Sequence, residues 1–169
     1  MLKRSPEDVI QGLFDEFSCS RNPEVESYLH HSAIMMEKKD LSRTYLVFDA
    51  ESGMLIGFFS LGIRCMTVDP KNKSISESFR KRMNVDSDTS VAQAYLLGQL
   101  ARNDGSPKGY GKEMVDEALE VMHQCKERVG CRLVRVDCDD DLIPYYESLG
   151  FTLVVRNGPK NLCQMVTVI

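Results

Sequence analysis

The residue types best suited to chemistry fall together in residues 97–114, which read as strand, loop and helix. The loop is Gly105-Ser106-Pro107-Lys108-Gly109-Tyr110-Gly111-Lys112. Glycine ahead of a helix lets backbone N–H groups point outward without interference from a Cβ. The helix N-terminus adds unpaired N–H donors and the positive end of the dipole, which together suit an anion. Lys108 and Lys112 would add charge. The same glycines serve equally as a tight turn, and both readings stand at this point. No G-K-[ST] occurs and G-x-G-x-x-G is incomplete, so neither a P-loop nor a dinucleotide fingerprint is present.

Other candidates carry weaker signals. The six cysteines are Cys19, Cys65, Cys125, Cys131, Cys138 and Cys163, with no C-x-x-C pair and no zinc spacing. Most lie in apolar sequence, where cysteine behaves as a small hydrophobe, and they read as reduced core thiols. His30 and His31 are adjacent, and helical neighbours diverge by roughly 100°, so they are badly placed to share a metal. With His123 the only other histidine, no metal site is expected. The acid run 137–141 reads as a helix cap and solvated loop. Lys71, Lys73, Arg80, Lys81 and Arg82 face one opposing charge, Glu77. That stretch fits either a phosphate backbone or a solvated helix face, and Arg43, Arg64 and Arg102 are candidates to extend it. Tyr146, from the residues alone, is equally a packing aromatic. Met35, Met36, Met114 and Met122 read as core.

These residues need a frame to position them. The 169 residues, 43% hydrophobic and 27% charged, suit one globular domain over 1–169 and exclude disordered, collagen-like and coiled-coil chains. No apolar run approaches the roughly 18 residues of a membrane span. The start shows no secretory pattern, so a cytoplasmic protein without membrane partners is expected. A net charge of −4 is not that of a generic DNA binder.

Ser5-Pro6-Glu7-Asp8 reads as a helix start, and Val9, Leu13, Phe14 and Phe17 predict a helix over 6–17. Asn22 caps a second one, predicted over 23–38 by a stripe of Val25, Tyr28, Leu29, Ser32, Ala33 and Met36. Runs 44–48 and 54–63 flank a turn near Ser52-Gly53 and read as a hairpin. A polar loop (69–74), a short basic helix (75–83) and another loop (84–90) follow. Strand 91–101, loop 102–108 and helix 109–129 come next, the helix ending at Gly130. Strand 132–138 leads to a short helix, capped by Asp139-Asp140-Asp141 and running to Leu149. Strands 151–155 and 163–169 complete the chain. This order is a mixed α/β (α+β) domain with a central sheet. Its 91–138 segment forms one parallel, right-handed crossover.

At this point the residues resemble a known family. The strand, the loop ending Lys108-Gly109-Tyr110-Gly111 and the long helix are similar to motif A of the GNAT acetyltransferases, (Q/R)-x-x-G-x-(G/A). Tyr145-Tyr146-Glu147-Ser148-Leu149-Gly150-Phe151 resembles the family's F-Y-E-x-x-G-F. Phe17-Ser18-Cys19, Tyr28-Leu29 and Leu41-Ser42-Arg43-Thr44-Tyr45-Leu46-Val47 resemble F-x-C-G, L and L-S-R-T-Y-V-L of the GNAT toxins of bacterial toxin–antitoxin pairs. The resemblance covers almost the whole chain. It implies a GNAT-like domain: a mostly antiparallel, twisted central sheet with one parallel β-α-β crossover and flanking helices. Three departures stand out. Ser106 occupies the usual Gln or Arg position, Pro107 follows where the toxins often have Gly, and Arg102-Asn103 replaces V-D. They leave either a looser grip on pyrophosphate or more reliance on Lys108.

The resemblance implies an N-acetyltransferase that uses acetyl-CoA as cosubstrate and a primary amine as acceptor. Lys108, Gly109, Tyr110, Gly111 and Lys112 would hold the pyrophosphate. Backbone N–H groups around Leu100, Ala101 and Arg102 would meet the developing oxyanion. Tyr146 matches the family's general acid, and a phenol of pKa ~10 stays protonated at neutral pH and can protonate a thiolate. Tyr145 takes a structural position. The toxin likeness implies the amino group of charged tRNA as acceptor, a small antitoxin partner and a homodimer. A small-molecule or protein amine is the alternative acceptor, and a non-catalytic acetyl-CoA-binding module the alternative function.

Overall fold

The computed structural model describes residues 6–169. Helix α1 (Glu7–Asp15) opens at Pro6, with Glu7 and Asp8 at the positive end of its dipole. The predicted cap, Ser5, lies outside the described residues. Helix α2 (Pro23–His31) is capped by Asn22, whose side chain accepts the Val25 N–H at 3.2 Å. The single helix expected over 23–38 is two, because Ser32 leaves helical backbone (φ −121°, ψ −32°) before α3 (Ala33–Lys38). Its apolar stripe runs through the break, which hides the break from a periodicity argument.

Strands β1 (Ser42–Phe48) and β2 (Leu55–Thr67) form the expected antiparallel hairpin, with Tyr45 opposite Phe59. Asp49 closes the turn by accepting the Ser52 N–H and Oγ–H, both at 2.7 Å, and Gly53 takes φ +70°. Strand β2 outruns its predicted end at 63. Ile63, Arg64 and Cys65 are exposed there, so the apolar run stops before the strand does. Helix α4 (Glu77–Met83) is capped by Ser76. Strand β3 (Val91–Arg102), helix α5 (Tyr110–Val129) and strand β4 (Leu133–Cys138) make the parallel crossover. A 3-10 turn (Asp140–Leu142), helix α6 (Ile143–Ser148) and strands β5 (Thr152–Val155) and β6 (Cys163–Val168) follow. The sheet order is β1-β2-β3-β4-β6-β5, with β3·β4 parallel and β1·β2, β4·β6 and β5·β6 antiparallel. The parallel ladder pairs Ala94–Leu97 with Leu133–Val136, while β3 itself runs on to Arg102.

Two compact units make up the chain: residues through Gly62 together with Gly98–Ala118, and Ile63–Leu97 together with Leu119–Ile169. In the first, Ile10, Phe14, Phe17, Leu29, Ala33, Leu55, Phe58 and Ala101 form the core, with Phe17 edge-on to Phe58 at 5.2 Å. Truncating a fully buried Phe such as Phe14 costs about 3–5 kcal/mol. In the second, Met66, Val68, Ile75, Met83, Leu133, Val154 and Val166 pack together.

Some expected core residues lie outside these cores. Val9 and Met35 are exposed. Of the six thiols, all free, only those of Cys19, Cys138 and Cys163 are buried. Cys65, in a stretch of β2 exposed on both faces, and Cys125 on α5 are exposed.

Candidate functional site

In the first unit, the end of β3 and the start of α5 are joined by a loop tied down at several points. The Asn103 N–H donates to the Ile56 carbonyl at 2.7 Å, and the buried Ser106 hydroxyl donates to the same carbonyl at 2.8 Å. The Ser106 N–H closes a turn on the Asn103 carbonyl at 3.0 Å. From inside the loop, the Arg102 guanidinium donates through Nη1 to the Ser106 carbonyl and, at 3.4 Å each, to the Pro107 and Asn103 carbonyls. Ser106, the departure from the family pattern, is therefore a buried anchor.

The segment between α1 and α2 braces the other side of the loop. The Asp104 N–H donates to the Ser18 carbonyl at 2.9 Å, and the Asp104 carboxylate accepts from the Ser20 N–H at 2.9 Å and from its hydroxyl. These bonds, aided by the Arg102 charge, hold the Asp104 carboxyl below the usual carboxylate range. The Cys19 N–H donates to Glu26 at 2.6 Å, fixing the segment to α2.

After this anchor the loop is open. Lys108 and Gly109 are exposed, and Gly109 sits at φ +114°, where a side chain is strained. The N–H groups of Lys108 and Gly109 enter none of the loop's backbone hydrogen bonds among the described residues. Helix α5 then begins at Tyr110, so its first N–H groups, including those of Gly111 and Lys112, have no helical acceptor. The Lys112 ammonium pairs with Asp116 one turn on, which leaves Lys108 as the loop's exposed cation. Leu100 is half-buried and Ala101 buried. Gly57 on β2 faces this strand end. A Cβ there would lie 2.5 Å from the Ala101 carbonyl oxygen and 2.7 Å from the Met114 sulfur. Only a glycine allows β2, β3 and the first turns of α5 to approach so closely.

In the second unit, Tyr146 is buried on α6, edge-on to Tyr145 at 5.1 Å and to Phe151 at 5.5 Å. Its carbonyl accepts from the Leu149 and Phe151 N–H groups, which fixes the turn into β5. Burial, with the Cys138 thiol and Tyr145 nearby, pushes the phenol well above its ordinary value and keeps it protonated. Burial pushes the Cys138 thiol up to about 12 as well, helped by Cys163, directly opposite it on β6, and by the acidic run.

The remaining candidates are largely committed elsewhere. The acid run does not cap by side chain. Asp139 makes no cap hydrogen bond, Asp140 pairs with Arg156 and accepts from the Cys163 thiol, and Asp137 takes both ends of the buried Arg135 fork at 2.6 Å. Among the described residues no group of three His, Cys, Asp or Glu could hold a metal ion. Within the basic stretch, Arg80 donates to the Asp69 and Asn72 carbonyls, Lys81 pairs with Glu77, and Arg82 lies over Phe79. Arg43 pairs with Asp40 and Glu37, so it does not extend a basic patch. A cleft of about 660 Å³ in the second unit is lined by residues such as Cys65, Asn84, Gln93, Cys131 and Arg132, and by neither the glycine loop nor Tyr146.

Sequence reasoning named Arg102 only as an extension of a basic patch and missed its clamp on the loop carbonyls, the Ser106 anchor, the Ser18–Ser20 brace and Gly57. Only Gly57 carried a signal, a glycine within an apolar strand run.

No family model and no curated protein matches the sequence. Solved structures do match. AtaT complexed with acetyl-methionyl-tRNAfMet aligns at TM-score 0.70 and 19% identity, over 90% of this chain and 85% of that one. A tyrosine-to-phenylalanine mutant of KacT aligns at 0.69 and 20%, over 89% and 85%. A tyrosine-to-phenylalanine mutant of AtaT, bound to the C-terminus of the antitoxin AtaR and acetyl-CoA, aligns at 0.68 and 18%, over 92% and 84%. The chain has the fold of these toxins, the GNAT fold.

Proposed function

We propose that the chain is an N-acetyltransferase that moves an acetyl group from acetyl-CoA to a primary amine. The observation that carries this reading is the anchored loop: free N–H groups, a positive-φ glycine and an exposed lysine at the start of a long helix. Those residues fit a pyrophosphate, since its charge would meet N–H donors, the α5 dipole and Lys108. Acetyl-CoA supplies an activated thioester. Backbone N–H groups of Leu100, Ala101 and Arg102 are assigned to the oxyanion that develops as the amine adds to the carbonyl. The Tyr146 hydroxyl is assigned to protonate the departing thiolate. Burial raises the phenol above its ordinary value, so at neutral pH it carries the proton that this role requires.

The proposed acceptor is the amino group of a charged tRNA, supported by the likeness in fold to AtaT, which has been solved with acetyl-methionyl-tRNAfMet. An aminoacyl ester has a weakly basic amine, so no strong general base is required. An antitoxin partner is proposed on the same likeness, with a homodimer as the proposed assembly. A small-molecule or protein amine is the second reading. It is favoured by the net charge of −4 and by the commitment of Arg43 and Arg80 to intramolecular bonds. Calorimetric titration with acetyl-CoA, then label transfer to charged tRNA, amines and peptides, tests both. Saturable binding and transfer support the proposal, and absence of binding refutes it.

A further inference from the structure

We propose that the Arg102 side chain is a positioning and charge-supplying residue of the pyrophosphate loop, taking over, with Ser106, the work of the Gln or Arg missing at position 106. The inference deepens the acetyl-CoA reading and rests on it. Three carbonyls, those of Asn103, Ser106 and Pro107, converge on one guanidinium nitrogen, Nη1. In a trans peptide the C=O and the following N–H point in opposite directions. Turning the Pro107 carbonyl inward onto Arg102 therefore aims the Lys108 N–H outward, toward where an anion would lie.

The guanidinium has capacity to spare. It carries five N–H donors, and the contacts described use Nη1 alone. It makes no ion pair among the described residues. The Asp104 carboxylate, which feels the Arg102 charge, takes its hydrogen bonds from Ser20. Arg102 is half-buried, and its strand is fixed by the Asn103 and Ser106 bonds to the Ile56 carbonyl. A fixed, partly desolvated cation without a direct ion pair, beneath outward-facing N–H groups, selects a dense anion such as a pyrophosphate.

The test compares Arg102→Gln, which keeps donors for the carbonyls and removes the charge, with Arg102→Lys, which keeps the charge. NMR titration gives dissociation constants for coenzyme A and for S-acetylpantetheine, which lacks the pyrophosphate. Arg102→Gln is expected to weaken coenzyme A binding about 10- to 100-fold, the range for loss of a charge-assisted hydrogen bond. S-acetylpantetheine binding should stay within twofold, and Arg102→Lys should recover most of the coenzyme A affinity. Unchanged coenzyme A binding in Arg102→Gln overturns the proposal. So does an equal loss for both ligands, or an unfolded Arg102→Gln protein together with a folded Arg102→Lys that fails to bind, since each marks a purely structural arginine. Failure of the unaltered protein to bind coenzyme A is a separate result, which removes the acetyl-CoA reading and this inference with it.

Discussion

The loop after β3 and the packing around Tyr146, the two regions assigned to the proposed site, are built in opposite ways. The loop is open to water, and its candidate donors are backbone N–H groups aimed by a hidden scaffold of Arg102, Ser106 and Ser18–Ser20. Tyr146 is a single side chain packed among Tyr145 and Phe151, and its protonation state is set by exclusion of water. Binding an anion needs many modest donors held in register. Holding one proton needs only a dry setting. Mutations in the two regions should accordingly fail in different ways: loop variants in affinity, Tyr146 variants in turnover.

The largest separation comes from a charge placed in the open loop. Gly111→Glu sets a carboxylate in the first turn of α5 against the proposed phosphates and is expected to abolish acetyl-CoA binding in calorimetry. The fold should be retained by circular dichroism. Tyr146→Phe is the mirror case. It should cut kcat about 10²-fold or more, the scale of a lost general acid, with the acetyl-CoA Kd within twofold. A Tyr146 variant that loses affinity instead would merge the two regions and break the comparison.

Smaller effects probe the scaffold. Gly57→Ala should destabilise the protein by about 2–3 kcal/mol in urea unfolding, since its Cβ meets a backbone oxygen that cannot move away cheaply. Ser106→Ala removes one buried hydrogen bond to Ile56. It should cost about 1–2 kcal/mol of stability and raise the acetyl-CoA Kd several-fold without changing kcat. Alkali sharpens the other side. Cys138 is raised from an ordinary thiol value of 9.0 to about 12. Its contribution is whole below pH 9 and is lost as pH rises toward 12, because the unfolded chain then sheds the proton first. The Tm should fall across that window, and less steeply in Cys138→Ala.

The sequence made some parts of this legible and hid others. The strand, glycine loop and helix at 91–129 were readable because each obeys a local rule: alternation, φ-permissive residues, then a stripe of Met114, Val115, Ala118, Leu119, Met122 and Cys125, of which Cys125 proves exposed. Tyr146 emerged from a short motif. The Arg102 clamp left no trace, since a side chain bonding to backbone carbonyls needs no particular partner residue type. Ser106 looked like a defect because its partner, the Ile56 carbonyl, is 50 positions away in the chain. The break at Ser32 and the tail of β2 were missed for one reason: apolar periodicity reports which face is buried, not whether the backbone continues.

The most direct test of the central claim is label transfer from acetyl-CoA carrying a labelled acetyl group, offered in parallel to charged tRNA, small amines and peptide N-termini. The account predicts label in the RNA fraction, reduced to background by Tyr146→Phe in a protein that still binds acetyl-CoA. Label in none of the three acceptors, from unaltered protein with acetyl-CoA bound, would contradict it.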